Sequence, residues 1–345
     1  MSTFTREARR LDREVAERGE WIEKILRIEP EKQKRLYRHL DVEAKAAPGM
    51  TEAAETIMAP VDGATLRVLR SRPGAHGMAP ASGSTRPVVF VPGWGAVPGE
   101  FEDLYEYLHG EVDLYYIETR EKPSSVPAGR RPDMSVEQSA RDIAAAIRYL
   151  GLDVTDYVLL GSCWGASIIL EALHQGCVAA PTVLAVDPMQ RLWFPRPLLR
   201  FFFFWTPDFL VRLLKPLIVW LRLRGMEEPR QRERAEQFIR EADIGKWRRA
   251  AVAARNFQLA GRLESIEQEV FVLTCSGDYI HDQRYYPVLT RRLPRGRFLS
   301  LQVDEAHRER MIGLAAREFA RIPPEQGVPE SFREYLKLAG DNGVA

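Results

Sequence analysis

The stretch "VLLGSCWGASIIL", residues 158–170, decides the fold. One apolar run leads into Gly161-Ser162-Cys163-Trp164-Gly165 and a second leaves it, which reads as a strand, a tight turn and a helix. The pattern has the form G-x-nucleophile-x-G, the strand-to-helix turn called a nucleophile elbow. Ser162 is out of register, because the positions held by Leu160 and Trp164 would have to be glycine to centre it. The central residue is Cys163. At a helix start, unpaired backbone N–H groups and the helix dipole favour negative charge, so a thiol there is shifted toward thiolate.

Outward from the elbow, the chain alternates short apolar strands with amphipathic helices. The strands read as "VVFVPG", "VDLYYIE", "YVLLGS", "TVLAVD", "EVFVLTCSGD" and "RFLSLQV". Helices are expected over 100–109, 135–150, 164–174, 282–293 and 306–322. Continuous apolar runs that alternate with helices place the chain in the α/β class, with a mostly parallel central sheet covered on both faces. Upstream, "VDGATLRVLRSR" (61–72) reads as a hairpin on an Asp-Gly turn. Residues 73–86 then form a Gly-, Pro- and Ser-rich loop. Residues 1–47 read as a charged helical extension, with Leu11, Val15, Trp21, Ile22, Ile25, Leu26, Leu36 and Leu40 at helical spacing among Arg and Glu. The expected division is that extension, a core of 59–188 with 263–322, a helical cap of 189–262, and a tail of 323–345.

Bulk properties narrow the function. At 345 residues, 45% hydrophobic and 28% charged, this is the composition of an ordinary globular protein. A net charge of +1 supplies no global field for nucleic acid. The three cysteines, at 163, 177 and 275, form no disulfide framework and point to a reducing, cytoplasmic compartment. The N-terminus carries charges throughout, with no apolar core of a signal peptide. Six scattered histidines suggest no metal site.

Residues 189–262 stand apart. They hold "LLRFFFFWTPDFLVRLLKPLIVWLRLRG" and carry 16 Lys and Arg against 7 Asp and Glu, a net +9 that leaves the remainder near −8. Arg200, Asp208, Arg212 and Lys215 interrupt the apolar run, and Pro207 and Pro216 are expected to break it, so a bilayer span is disfavoured. Lying between "TVLAVD" and "EVFVLT", the segment reads as a lid, against the plainer alternative of a buried helix pair.

The remaining chemistry follows chain order. "FVPGWG" ends a strand in Gly93-Trp94-Gly95, where the backbone N–H of Trp94 would join that of Trp164 as an oxyanion hole. A nucleophile, acid, base order makes Asp278 (in "VLTCSGDYIHD") the acid and His307 (in "QVDEAHRERM") the base. His281 and Asp187 are the second choices for base and acid, and His174 reads as a packed or surface histidine.

These motifs resemble the α/β-hydrolase superfamily over residues 61–322, with elbow, oxyanion loop, acid and base in family order. The central cysteine is similar to that of polyhydroxyalkanoate synthases and dienelactone hydrolases, which carry G-x-C-x-G. The resemblance implies a Cys163–His307–Asp278 triad with no metal or organic cofactor. Two positions depart from the pattern: Ala306 stands where a glycine commonly precedes the histidine, and Pro92-Gly93 replaces His-Gly before the oxyanion loop. A cysteine nucleophile forms thioesters, which suits acyl transfer from, or hydrolysis of, a lipophilic ester or thioester, acyl-CoA among them. Phe202 and Phe203 would line the apolar pocket. The alternative is a non-catalytic binding or scaffold protein that uses the basic, apolar insertion for peripheral contact with a membrane or partner surface. Oligomeric state is left open.

Overall fold

The computed structural model describes residues 3–43, 47–74, 85–129, 131–192, 207–224, 232, 236–237, 239–275, 282–339 and 343–344. Strand β1 (Glu55–Val61) turns through Asp62-Gly63 into β2 (Ala64–Ser71), and Gly63 supplies the left-handed φ of 64° that the two-residue loop requires. The parallel part of the sheet is β3 (Val88–Val91), β4 (Leu114–Ile117), β6 (Val158–Ser162), β7 (Thr182–Val186), β8 (Val270–Thr274) and β9 (Gly296–Ser300). The sheet order is β1-β2-β4-β3-β6-β7-β8-β9-β10-β11, and the short β5 (Val126–Pro127) pairs with β2. Residues expected as a tail supply β10 (Leu336–Ala339), antiparallel to β9, and β11 (Gly343–Val344), antiparallel to β10, which extend the sheet.

Each parallel strand is apolar on both sides because both faces are covered. Val89, Val91, Leu159, Val183, Ala185, Val270 and Val272 enter one core, against helices α1 (Thr3–Glu17), α2 (Gly19–Leu26), α6 (Val136–Tyr149), α7 (Trp164–His174) and α10 (Tyr285–Thr290). Val88, Phe90, Val158, Leu160, Leu184, Phe271 and Leu273 enter the other, against α3 (Pro30–Glu43), α4 (Met50–Ala53), α5 (Glu102–Leu108) and α11 (Arg308–Ala320). Residues 3–43 are therefore three helices bound into both cores: Leu11, Val15, Ile22 and Ile25 on one face, Leu36 and Leu40 on the other.

Several expected helices are shorter in the structure. Pro98–Phe101 and Glu305–His307 are 3-10 turns that precede α5 and α11, and the helix expected at 282–293 is only α10. In the insertion, α8 (Asp208–Leu223) begins after Pro207 and runs through Pro216, and α9 (Ile244–Ala254) follows. Pro216 was expected to end the apolar run. It removes one N–H from the helical ladder, and the turns on either side continue. No helix among the described residues is long and apolar enough to cross a membrane. Phe202 and Phe203 lie outside the described residues.

The glycines of the elbow have a packing reason. A Cβ on Gly165 would lie 2.1 Å from the carbonyl oxygen of Val91 and 2.5 Å from that of Pro92, and one on Gly161 would lie 2.7 Å from the backbone of Ala166. Gly165→Ala is expected to lower the unfolding free energy by about 3 kcal/mol or more, because only backbone can give way. Gly19→Ala, with nothing within 4 Å of the new methyl, should be neutral or mildly stabilising. Urea unfolding of the two variants beside the parent checks this.

Candidate active site

Strand β6 ends at Ser162 and α7 begins at Trp164, which leaves Cys163 alone in the turn at φ 56°, ψ −117°. That backbone is costly for a residue with a Cβ and persists only where the surroundings fix it. They do so here: the Cys163 N–H donates to the Val186 carbonyl at 2.9 Å, and its carbonyl accepts from the N–H groups of Ser167 and Met189, each at 3.4 Å. The thiol is half-buried. Gly93, in the loop after β3, lies directly against it, since a Cβ there would sit 3.3 Å from Cys163 Cβ and 3.7 Å from Sγ.

Both oxyanion-hole candidates meet at this point. Trp164 is the first residue of α7, where a backbone N–H has no intrahelical acceptor. Trp94 follows Gly93, and the two indole rings pack edge to face with centroids 5.8 Å apart. The Trp94 indole N–H is buried without an acceptor among the described residues. A second layer holds the loop in place. The fully buried Lys122 donates to the Gly93 carbonyl and pairs with Glu121 at 3.4 Å, while Glu121 accepts from the Gly95 N–H at 3.4 Å and the Thr119 hydroxyl at 2.6 Å.

The insertion covers this loop. Trp247 of α9 lies over Gly95, where a Cβ would come within 2.2 Å of its ring. The neighbouring Lys246 reaches into the core and donates to the carbonyls of Lys122 (2.9 Å), Pro123 (3.0 Å) and Ser125. Burial pulls the Lys246 pKa down, against the opposing pull of Asp243. Phe257 packs edge-on against Trp164 with centroids 5.5 Å apart.

His307 lies in the 3-10 turn that opens α11. Its ring Nδ1 is 2.7 Å from Asp304 Oδ1, which leaves Nε2 as the free basic nitrogen when Nδ1 carries the proton. Asp304 also caps the turn by accepting from the His307 N–H at 3.0 Å. Tyr37 of α3 completes the clamp: its hydroxyl donates to Asp304 Oδ2 at 3.1 Å and accepts from the Asp304 N–H at 2.9 Å, and its ring meets His307 edge-on at 5.2 Å. Partial burial pulls the Asp304 carboxyl up, but the hydrogen bonds and charge of His307, with Tyr37, outweigh it and hold the group below the ordinary aspartate range.

The residue after the histidine ties it to the elbow. Arg308 is buried; its guanidinium donates to Asp187 Oδ2 at 2.9 and 3.1 Å and to the Ser162 hydroxyl at 3.2 Å. Burial works against its charge, and the Coulombic pull of Asp187, Glu309, Cys275 and Cys163 raises its pKa further above the usual value. The residue after His307 thus holds the residue before Cys163 and the end of β7 together. Asp187, the second choice for acid, is committed to this pair and to the Cys275 N–H at 3.4 Å. His174 is a surface residue hydrogen-bonded to Ser265 at 2.6 Å. Asp278 and His281 lie outside the described residues.

The structure brings Cys163, Trp94 and Trp164 together, and Arg308, the residue after His307, touches the elbow at Ser162. Asp304, Arg308, Tyr37, Lys246 and Trp247 were not singled out from the sequence. For Asp304 the signal was available, three residues before the histidine in a helix-capping position. Tyr37, 270 residues away in sequence, gave none.

The folded-state pKa of Asp304 lies below its unfolded value, so its contribution to stability is fully present above the ordinary aspartate range and is lost as pH falls through the lowered value. Asp304→Asn should remove that acid-side dependence, so parent and variant converge in stability as the medium is acidified below the carboxylate range. Tyr37→Phe should weaken the same dependence. Unfolding midpoints measured across acid pH test both.

A family model described as "Alpha/beta hydrolase family" matches residues 88–322. No curated protein matches the chain. Among solved structures, a thermophilic esterase from Thermogutta terrifontis is similar, with TM-score 0.57 and 18% identity over 78% of this chain and 98% of that one. A hydrolase from Pseudomonas aeruginosa PA01 gives TM-score 0.55 and 16% identity over 73% and 89% of the two chains. The enol-lactonase from Burkholderia xenovorans LB400 gives 0.54 and 13% over 72% and 90%. At these identities the likeness is one of fold, namely a mostly parallel sheet with helices on both faces. The family match covers most of the chain, elbow and histidine included, and this protein belongs to the alpha/beta hydrolase family.

Proposed function

We propose that the protein is an acyl-transfer enzyme, a hydrolase or acyltransferase, that works on a lipophilic ester or thioester through Cys163 as nucleophile. The observation that carries this reading is the backbone of Cys163. Its strained positive φ sets the thiol between a helix N-terminus and the Gly93-Trp94 loop, the geometry of a nucleophile elbow.

In this reading His307 Nε2 takes the thiol proton as Sγ attacks the substrate carbonyl carbon. The carbonyl oxygen becomes an oxyanion held by the backbone N–H groups of Trp94 and Trp164. Collapse breaks the bond to the leaving alkoxide or thiolate, which takes the proton from the imidazolium and departs, leaving an acyl-cysteine. Water, or a second hydroxyl or thiol, then gives its proton to His307 and attacks the acyl carbon. The Sγ–C bond breaks, and the thiolate recovers the proton. Asp304 is supported as the orienting carboxylate by its contact with Nδ1. Asp278, at the position the family resemblance gives the acid, is the other candidate.

The cysteine favours thioester donors, acyl-CoA among them, since acyl exchange between sulfur atoms is close to thermoneutral. The resemblance to polyhydroxyalkanoate synthases and dienelactone hydrolases rests on the same residue. No cofactor enters the scheme.

Intact-mass measurement after exposure to a panel of acyl thioesters and activated esters tests the assignment. The parent protein should gain one acyl group, Cys163→Ala none, and His307→Ala should acylate about 10³-fold more slowly or worse. Labelling that persists on Cys177 or Cys275 in the Cys163→Ala protein sinks it. Asp304→Ala and Asp278→Ala, compared in the same assay, separate the two carboxylates: the true partner is the one whose loss lowers kcat with little change in KM.

We also assign substrate preference to the insertion, with Phe202 and Phe203 lining the acyl pocket. Each further methylene buried then contributes about 0.8 kcal/mol, so kcat/KM climbs with acyl length until the pocket is full. Polar replacement of Phe202 and Phe203 should flatten the climb and spare short chains. Coincident profiles for parent and variant would remove the pocket assignment.

A further inference from the structure

Helix α8 turns a stripe of large apolar side chains to solvent. Its residues Phe209, Leu210, Leu213, Leu217 and Trp220 are 70, 36, 72, 49 and 56% exposed. With Pro216 and Arg224, both also exposed, they fall within a sector of about 120° on a helical wheel. The charged Lys215 lies on the opposite side and donates to the carbonyls of Arg240 (2.6 Å) and Ala242 (3.1 Å). A helix facing water normally does the opposite, with apolar residues turned inward and lysine outward. Here the lysine is committed to the protein, and five large apolar side chains face out.

An exposed apolar stripe of this kind marks an interaction surface, and its surroundings identify the partner. Residues 189–262 carry a net +9 while the rest of the chain is near −8, so the segment that bears the stripe is strongly basic. A second copy of this chain would bring the same +9 to the contact, which opposes pairing face to face. An anionic bilayer supplies what both features need, acidic headgroups for the arginines and an acyl boundary for the apolar stripe. Trp220 fits this placement: its indole carries the Arg224 guanidinium 5.3 Å above the ring, an apolar body with a cationic rim of the kind found at headgroup level.

We propose that α8 is an interfacial docking helix that seats the protein on anionic phospholipid membranes. Phe209, Leu213, Leu217 and Trp220 enter the acyl boundary, with Arg224 at the headgroups. Because α9, which packs against α8, also covers the loop beside Cys163, docking brings the site close to the bilayer surface. The docking itself does not depend on Cys163 being catalytic.

The test is co-sedimentation of the full-length protein with phosphatidylcholine vesicles prepared with and without phosphatidylglycerol. The parent protein should pellet with the anionic vesicles, be released by added salt, and bind pure phosphatidylcholine far more weakly. The triple variant Leu213→Gln/Leu217→Gln/Trp220→Gln should partition about 100-fold less. These side chains are exposed, so its urea midpoint should match the parent, and that measurement separates lost docking from lost folding. Arg224→Gln should weaken binding to anionic vesicles and leave the weak binding to phosphatidylcholine unchanged. Cys163→Ala should bind like the parent, which keeps this result distinct from the catalytic assignment. The proposal is overturned if the parent stays in the supernatant with anionic vesicles or the folded triple variant pellets equally well. It is overturned equally if sedimentation velocity shows a parent dimer that the triple variant abolishes, since the stripe would then join two copies.

Discussion

The contact on which the rest of the site depends is between two backbones. α7 starts so close to the end of β3 that Gly165 leaves no room for a methyl group beneath the carbonyls of Val91 and Pro92. That approach is what turns the chain sharply after Ser162 and drives Cys163 to a positive φ. It also brings the Gly93-Trp94 loop against Sγ, so the candidate nucleophile and the candidate oxyanion donors share one origin. A bulkier residue at Gly161 or Gly165 would push the helix off the strand, and all three would move together.

The second constraint is electrostatic. The chain reaches His307 more than a hundred residues after the elbow, and the turn around it does not by itself aim it at Cys163. Arg308, next in the chain, joins that turn to the elbow, because its buried guanidinium is satisfied only when the ends of β6 and β7 and the start of α11 meet. A buried pair of this kind contributes little net stability against an apolar alternative, but removing Asp187 alone would strand a buried cation at a cost of about 3–5 kcal/mol. The pair is best understood as a device for register. The N-terminal helices add a third hold: Tyr37 comes from outside the stretch that matches the family and clasps the carboxylate that orients the histidine.

The insertion behaves as two layers. Its inner layer, α9, is anchored by a lysine to three core carbonyls and covers the loop beside the thiol with Trp247. Its outer layer, α8, leans on the inner one and leaves its apolar side uncovered. The same composition, apolar and basic, thus serves burial in one helix and exposure in the other.

The sequence by itself determined the class of fold, the order of the parallel strands along the chain and the elbow at Cys163. Those features are local: a strand's apolar run, a glycine where backbones touch and a two-residue Asp-Gly turn are each written in a few consecutive residues. Helix ends were less legible, since Pro98–Phe101 and Glu305–His307 tighten into 3-10 turns and α8 continues through Pro216, outcomes settled by packing around those residues. The tertiary structure alone decided that residues 3–43 belong to both cores, that residues 336–344 extend the sheet, and that Asp304, Tyr37 and Arg308 surround the histidine. Charged and aromatic residues of this sort look in sequence like any solvated helix face. Their roles come from distances between segments far apart in the chain, which no local pattern encodes.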